Sequence, residues 1–154
     1  MKDKPRVRIA LLLALPWLLG GCAHVNDMTA SILASEVSAH AVIGERVLAG
    51  RAQLYADRSG RLTLEERNEP APALSCMATL RYTASTAGMV SLRCSDGTQA
   101  QFPFTALGET SGHGRLAQGG ISLTYGLDPE PARAWLSPPA GKHLVVNGSY
   151  LELE

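Results

Sequence analysis

The sequence predicts a mainly β protein: a small antiparallel β sandwich or half-open barrel with one short C-terminal helix and a possible N-terminal helix or stalk. Beyond residue 46, apolar and polar residues alternate with period two in about six to eight short segments, as they do in half-buried strands. These segments lack the regular strand–helix alternation that a parallel sheet requires. The aromatic content of 5% indicates a modest core.

The most regular pattern is a three-stranded meander over residues 75–106. Its first two strands each carry one apolar and one polar face. A short turn at 84–86 sets a register that pairs Leu80 with Val90, Ala78 with Leu92 and Cys76 with Cys94. One register therefore satisfies both the apolar faces and the cysteines.

The chain begins with a pattern typical of secretion. Four basic residues within positions 2–8 precede an apolar run over 9–19, which is shorter than the roughly 20 residues of a membrane-spanning helix. Leu19-Gly20-Gly21-Cys22 follows at once. This arrangement resembles the signal and lipobox of bacterial lipoproteins. The resemblance implies cleavage before Cys22 and covalent lipid (palmitate among the acyl chains) on its thiol.

The lipoprotein resemblance also implies a location and a domain plan. Ala23 stands where an Asp would retain the protein in the inner membrane, so we expect an outer-membrane lipid anchor facing the periplasm. Residues 1–21 would be the signal peptide, 22–46 a lipid-anchored tether and possible helix, and 47–154 the β domain. Within the tether, Asp27 is a candidate N-cap, and Met28 and Ile32 begin a weak helical stripe.

Charge excludes some partners. Without residues 1–21 the chain keeps 10 of its 14 Lys and Arg and 13 of its 14 Asp and Glu, a net charge of about −3. It has no basic footprint for nucleic acid. It also has no polybasic patch for anionic lipid, so attachment to the membrane would come from the acyl chains.

Cysteine use predicts a disulfide. With Cys22 occupied by lipid, Cys76 and Cys94 remain, and the periplasm is oxidising. A redox-active pair is the alternative, but the Cys-x-x-Cys spacing is absent. We expect neither a metal nor any other cofactor, since no further ligands are grouped nearby.

Three more structural expectations concern the flanking segments. A hairpin within 47–67 would turn with Gly60 in the left-handed conformation and pair Leu54 with Leu64. In the third meander strand, Pro103 predicts an edge or a bulge, because proline has no N–H to donate. Near the end, Asp128 and Pro129 open a short helix with Ala132, Trp135 and Leu136 facing inward, and Asn147-Gly148 predicts a terminal hairpin or a bulged strand.

Residues 108–120 are glycine-rich and predict a surface loop. Glu109, Ser111, His113 and Arg115 make it our candidate binding loop, against a merely mobile or locally folded loop. The same residue types allow a small hydrolase as a weaker hypothesis, although the Gly-x-Ser-x-Gly elbow is missing. Gly112 to Ala117 matches a dinucleotide fingerprint in letters only, since no helix can follow Gly119-Gly120. We therefore assign no catalytic residue.

The outer face of the meander offers another surface. Met77 and Met89 lie there and would either contact a partner or, the interpretation we favour, pack under the glycine-rich loop or the last helix. If a partner contacts the sheet rather than the loop, Arg81 and Arg93 are the residues whose reversal should abolish binding.

Part of the chain resembles uncharacterised proteobacterial lipoproteins of unassigned function. The shared features are the Cys-Ser-Asp-Gly turn at 94–97, the Phe-x-Phe at 102–104, the Ser-Gly-x-Gly at 111–114 and the Leu-Thr-Tyr-Gly at 123–126; Ala78 departs from the usual Gly. The resemblance implies no activity. We expect binding or a structural role in the envelope, with an unidentified envelope protein as partner. The alternatives are a docking subunit or inhibitor of one envelope protein, or the hydrolase.

Overall fold

The computed structural model describes residues 34–67 and 73–154, and they form a closed antiparallel β barrel. Each of its eight strands pairs with the next in sequence, and β1 pairs with β8 to close the cylinder. The strands are β1 (Ser35–Ile43), β2 (Arg46–Leu54), β3 (Ser59–Glu66), β4 (Ser75–Tyr82), β5 (Ala87–Cys94), β6 (Gln99–Ala106), β7 (Gly112–Arg115) and β8 (Ile121–Tyr125). The mainly β prediction is confirmed, whereas the expected sandwich or half-open barrel is wrong because the sheet closes completely.

The first strand corrects the prediction of a helix or stalk. Ser35–Ile43 is extended and pairs along its whole length with β2, and its second half pairs with β8. Ala39, Ala41 and Ile43 point into the barrel at period two, the spacing of a strand. Closure of the barrel requires this strand. Residues 22–33, including Cys22 and the predicted N-cap, and the signal peptide lie outside the described residues.

The seventh strand corrects the prediction of a glycine-rich loop. Gly112–Arg115 lies between β6 and β8, with Gly112 and Gly114 facing inward. A Cβ at Gly112 would lie 2.5 Å from the Tyr125 hydroxyl, and one at Gly114 would lie 2.8 Å from the Pro103 carbonyl oxygen. The glycines are therefore needed for close packing across the barrel wall.

Side chains fill the barrel interior. The Phe104 ring packs edge-on against Tyr82, with centroids 4.8 Å apart, and also against Tyr125. The two tyrosine hydroxyls lie 3.0 Å apart and hydrogen-bond to each other. Burial, and then this hydrogen bond, raise the pKa of Tyr125 above its ordinary value. The largest other fully buried residues that face inward are Phe102, Leu48, Leu62, Leu64, Leu80, Leu92, Leu123 and Val90.

The predicted register is confirmed in one hairpin and wrong in another. Between β4 and β5 the three predicted pairs are present, and the Thr83 N–H donates to the Ala87 carbonyl across the turn. Between β2 and β3, Leu54 pairs with Gly60 instead of Leu64. The turn is centred two residues earlier than expected, and Arg58, with φ of 64°, takes the left-handed position in place of Gly60.

Strand β6 is not at an edge, contrary to the expectation from Pro103. It lies between β5 and β7. Its pairing with β7, however, stops at Phe104–Gly114, one residue before Pro103. The missing N–H of Pro103 therefore falls where that ladder has already ended.

The C-terminal segment covers part of the outside of the barrel. It contains α1 (Pro129–Arg133) and a hairpin of β9 (Leu144–Asn147) and β10 (Tyr150–Leu153), so the short helix and the terminal hairpin are confirmed. Trp135 is 41% exposed, so its predicted inward orientation is wrong. A second small core joins this segment to β1; its buried members are Val42, Ala132, Leu136, Leu144 and Leu151.

Candidate functional site

The predicted disulfide is present. Cys76 and Cys94 lie opposite each other on β4 and β5, and their sulfurs are 2.04 Å apart. Cys76 is buried in the core, and Cys94 is half-buried at the end of β5. The bond therefore ties two neighbouring strands near one end of the barrel.

The residues of the predicted binding loop do not form a single loop. Glu109 and Ser111 belong to the turn between β6 and β7, where the Ser111 carbonyl accepts the Leu107 N–H at 2.9 Å. His113 and Arg115 belong to β7 and point outward. Sequence spacing suggested one cluster, but the strand divides it between the end and the side of the barrel.

This arrangement does not assemble hydrolase chemistry. Within the described residues, no hydrogen bond joins the side chains of Ser111, His113 and Glu109. His113 instead stacks on Trp135, with ring centroids 4.1 Å apart and planes 19° apart. Burial, and then the charge of Arg115, lower the pKa of His113. Nucleophile, base and orienting carboxylate are thus not in the contact that such catalysis needs.

The most distinctive surface is the outward-facing side of strands β3 to β7. We call it the arginine–methionine face and define it by four arginines and two methionines: Arg61, Arg81, Arg93, Arg115, Met77 and Met89. Met77 is 55% exposed and Met89 is 41% exposed. The interpretation that these methionines pack under a loop or the last helix is therefore wrong.

Strand register places the arginines beside the methionines. Arg81 lies opposite Met89, and Met77 lies opposite Arg93. Met89 also lies opposite Pro103 on the next strand. Cross-strand partners on one face are within side-chain contact distance. The face is consequently a mixed patch in which guanidinium groups border exposed thioethers.

The electrostatics of this face differ from those of its surroundings. Its four arginines make no ion pair within the part of the chain that the structure describes. Three cations elsewhere are paired: Arg46 with Glu66, Arg51 with Glu36, and Arg133 with Glu130. On the outward side of β3 to β7, Glu65 is the one acidic residue. The face is therefore locally basic.

A second unusual feature is a buried histidine outside this face. His40 on β1 is 5% exposed, and neither ring nitrogen has a hydrogen-bond partner. It lies opposite Thr124 on β8, whose buried hydroxyl is also unpartnered. Burial lowers the pKa of His40, and the Asp128 carboxylate opposes that shift. These polar groups are enclosed and offer no open site.

One of the remaining surface depressions lies at an end of the barrel. The depression at the barrel end is lined by the β2–β3 turn, Tyr82, Ser85 and Glu109. Its cation, Arg58, donates to the Ala84 carbonyl at 2.6 Å and lies 5.3 Å above the Tyr82 ring. Across the described ranges, no group of three or more His, Cys, Asp or Glu residues could hold a metal ion.

Comparison with known proteins supplies no assignment. No family model, curated protein or solved structure matches the chain. Among the described residues, no helix is long and apolar enough to cross a membrane.

Sequence reasoning named only part of the arginine–methionine face. It identified both methionines and gave Arg81 and Arg93 as the residues to reverse if a partner contacted the sheet. Arg61 was missed, and Arg115 was assigned to a loop. Their common face depends on the pairing of β3 with β4 and of β6 with β7, which no local pattern specifies.

Proposed function

We propose that this protein is an outer-membrane-anchored periplasmic lipoprotein whose small disulfide-linked barrel docks another envelope protein. The anchor rests on the lipobox at 19–22 and on Ala23 after it. The docking role rests on one observation above all: two methionines are exposed on neighbouring strands, beside arginines that make no ion pair with any residue that the structure describes. An exposed apolar group with a polar border is typical of interaction sites.

The barrel geometry favours recognition by this outer face over two other modes. A filled interior leaves no room for a ligand of the kind that wider barrels enclose. A closed barrel also has no free strand edge to which a peptide could add. Recognition by the barrel would therefore use outward-pointing side chains. Those of β3 to β6, together with Arg115 of β7, are the ones that the C-terminal segment leaves uncovered, whereas His113 of β7 stacks on Trp135.

In-cell crosslinking tests this function. A photoreactive residue placed at 77 or 89 should form an adduct with one envelope protein in intact cells, and the adduct should fractionate with the outer membrane. The same residue at 142, in the loop before β9, is the matched control and should not give that adduct. Absence of any protein adduct from both 77 and 89, in variants that remain folded, would refute the docking role.

A further inference from the structure

We propose that the arginine–methionine face binds an acidic segment of a protein, with its arginines pairing carboxylates and its methionines covering the apolar part of that segment. This inference rests on the proposed docking function and specifies the chemistry of the partner. The occupant is a helix or loop rich in Asp and Glu, presented by another envelope protein.

Charge complementarity is the first argument. Residues 34–154 contain 10 Lys and Arg against 12 Asp and Glu, yet the face holds four arginines against Glu65. A basic patch on a chain with an excess of acidic residues is a local feature and not a consequence of overall composition. Because these guanidinium groups make no ion pair among the described residues, their charge is available to a partner.

Residue type is the second argument, and it favours a protein over a lipid surface or an anionic polymer. All four cations of the face are arginines, as are nine of the ten Lys and Arg in residues 34–154. Arginine and methionine are enriched in protein interfaces, whereas lysine is depleted. The guanidinium fork also matches the two oxygens of a carboxylate. Membrane-binding patches instead concentrate several lysines or arginines within one short segment, which is not the case here.

The size of the face indicates what kind of segment it can hold. In a closed eight-stranded barrel β3 to β7 wrap around half of the circumference, so one segment can contact only the middle of the face, on β4 and β5. There the five residues from Met77 to Arg81 extend about 14 Å along a strand, and neighbouring strands are about 4.8 Å apart. That area is smaller than a standard interface of about 800 Å² per partner. It suits a single helix or loop. We therefore expect an interaction that depends strongly on ionic strength.

The test begins with the adduct formed from position 77. The crosslinked peptide of the partner is mapped by mass spectrometry and should contain an excess of Asp and Glu. That peptide is then synthesised, together with a version in which Gln and Asn replace Glu and Asp. Binding of both peptides to the purified protein is measured at low and high salt. The acidic peptide should bind at least about ten-fold more tightly than its neutral version, and this difference in affinity should shrink as the salt concentration rises.

Charge reversal supplies the matched comparison. Arg81→Glu combined with Arg93→Glu should weaken binding of the acidic peptide about ten-fold or more, whereas Lys142→Glu, outside the face, should change it less than about two-fold. The melting temperature of each variant reports whether the barrel is intact. If the double variant is destabilised, Arg115→Glu replaces it, and replacing acidic residues of the peptide by Arg should restore binding.

The outcomes separate this inference from the docking function. If the peptide crosslinked at 77 is not acidic, or if charge reversal on the face leaves its binding unchanged, the acidic partner is ruled out and the docking function stands. No protein adduct at 77 or 89 overturns both. Binding to phosphatidylglycerol vesicles that is lost on charge reversal, without any protein adduct, would assign the face to lipid and also overturn both.

Discussion

Reduction of the Cys76–Cys94 bond should lower the free energy of unfolding by about 3 kcal/mol. The two cysteines are 18 residues apart in sequence. In the chain-entropy model, opening a loop of that length returns about 11 cal/mol/K to the unfolded state, or about 3.2 kcal/mol at 25 °C. That is a large share of the 5–15 kcal/mol typical of folded domains.

The same quantity converts to a shift in melting temperature. The barrel and its C-terminal cover comprise about 120 residues, for which the entropy of unfolding is about 250 cal/mol/K. Dividing the loss of about 3.2 kcal/mol by this entropy gives a decrease in melting temperature of about 13 °C on reduction. The oxidised protein has a small barrel with a modest core, so a change of this size should be easily measured by circular dichroism or calorimetry.

The assay compares oxidised and reduced forms of the same chain, because reduction leaves every other side chain in place. Denaturant titration gives the free energies, and a double Cys→Ala variant provides a second comparison. That variant should lose slightly more, since Cys76 is buried and its sulfur also contributes packing. A difference below about 1 kcal/mol between the two redox forms would refute the loop-entropy argument.

Three further predictions concern other parts of the chain. Burial lowers the pKa of His40, so the unfolded chain takes up a proton at higher pH than the folded chain does. The free energy of unfolding should therefore fall as pH drops below about 6.5, by up to about 1.4 kcal/mol per unit of difference between the folded and unfolded pKa. His40→Gln should flatten this pH dependence in denaturant titrations. Gly112→Ala should lower the free energy of unfolding by about 1–3 kcal/mol, because the added Cβ clashes with the Tyr125 hydroxyl. Gly108→Ala should lower it much less, because a Cβ there meets only the Ser111 hydroxyl at 3.2 Å. Equal losses in the two variants would refute the packing role of Gly112. Cys22→Ala should release the protein from the membrane fraction and stop fatty-acid labelling, and continued labelling would refute the lipid anchor.

Period-two alternation predicted the buried faces well because it reports which side of a strand is apolar. The face and register of β4 and β5 are both confirmed, since the cysteines selected one alignment among several. In β2 and β3 the face is right although the register is wrong. Leu54 pairs with Gly60 rather than Leu64, a shift of four residues, and an even shift leaves the same side chains inward.

Strand β7 could not be predicted from large apolar residues because it contributes none to the core. Gly112 and Gly114 occupy the inward positions, and the aromatic rings of neighbouring strands fill the space. The signal in the sequence was the spacing of the glycines, with His113 and Arg115 between them. That spacing acquires meaning only when Tyr125, thirteen positions after Gly112, lies across from it.

Strand β1 was missed for a different reason. Considered locally, its alanines favour a helix over a strand. The decisive interaction is with β8, about 80 positions away in sequence, which removes the last free edge of the sheet. Tertiary pairing therefore determines the conformation of this segment.

The arginine–methionine face is likewise a product of pairing between distant segments. Arg61 and Arg115 are 54 positions apart, and the barrel places them on β3 and β7, the two outer strands of that face. Outside the face, residues 34–154 carry six Lys and Arg against 11 Asp and Glu. An acidic partner is thus repelled by most of this surface and attracted at one side of it, so a single orientation of approach is favoured. With the interior filled and the edges closed, this charge asymmetry is the barrel's main means of selecting a partner.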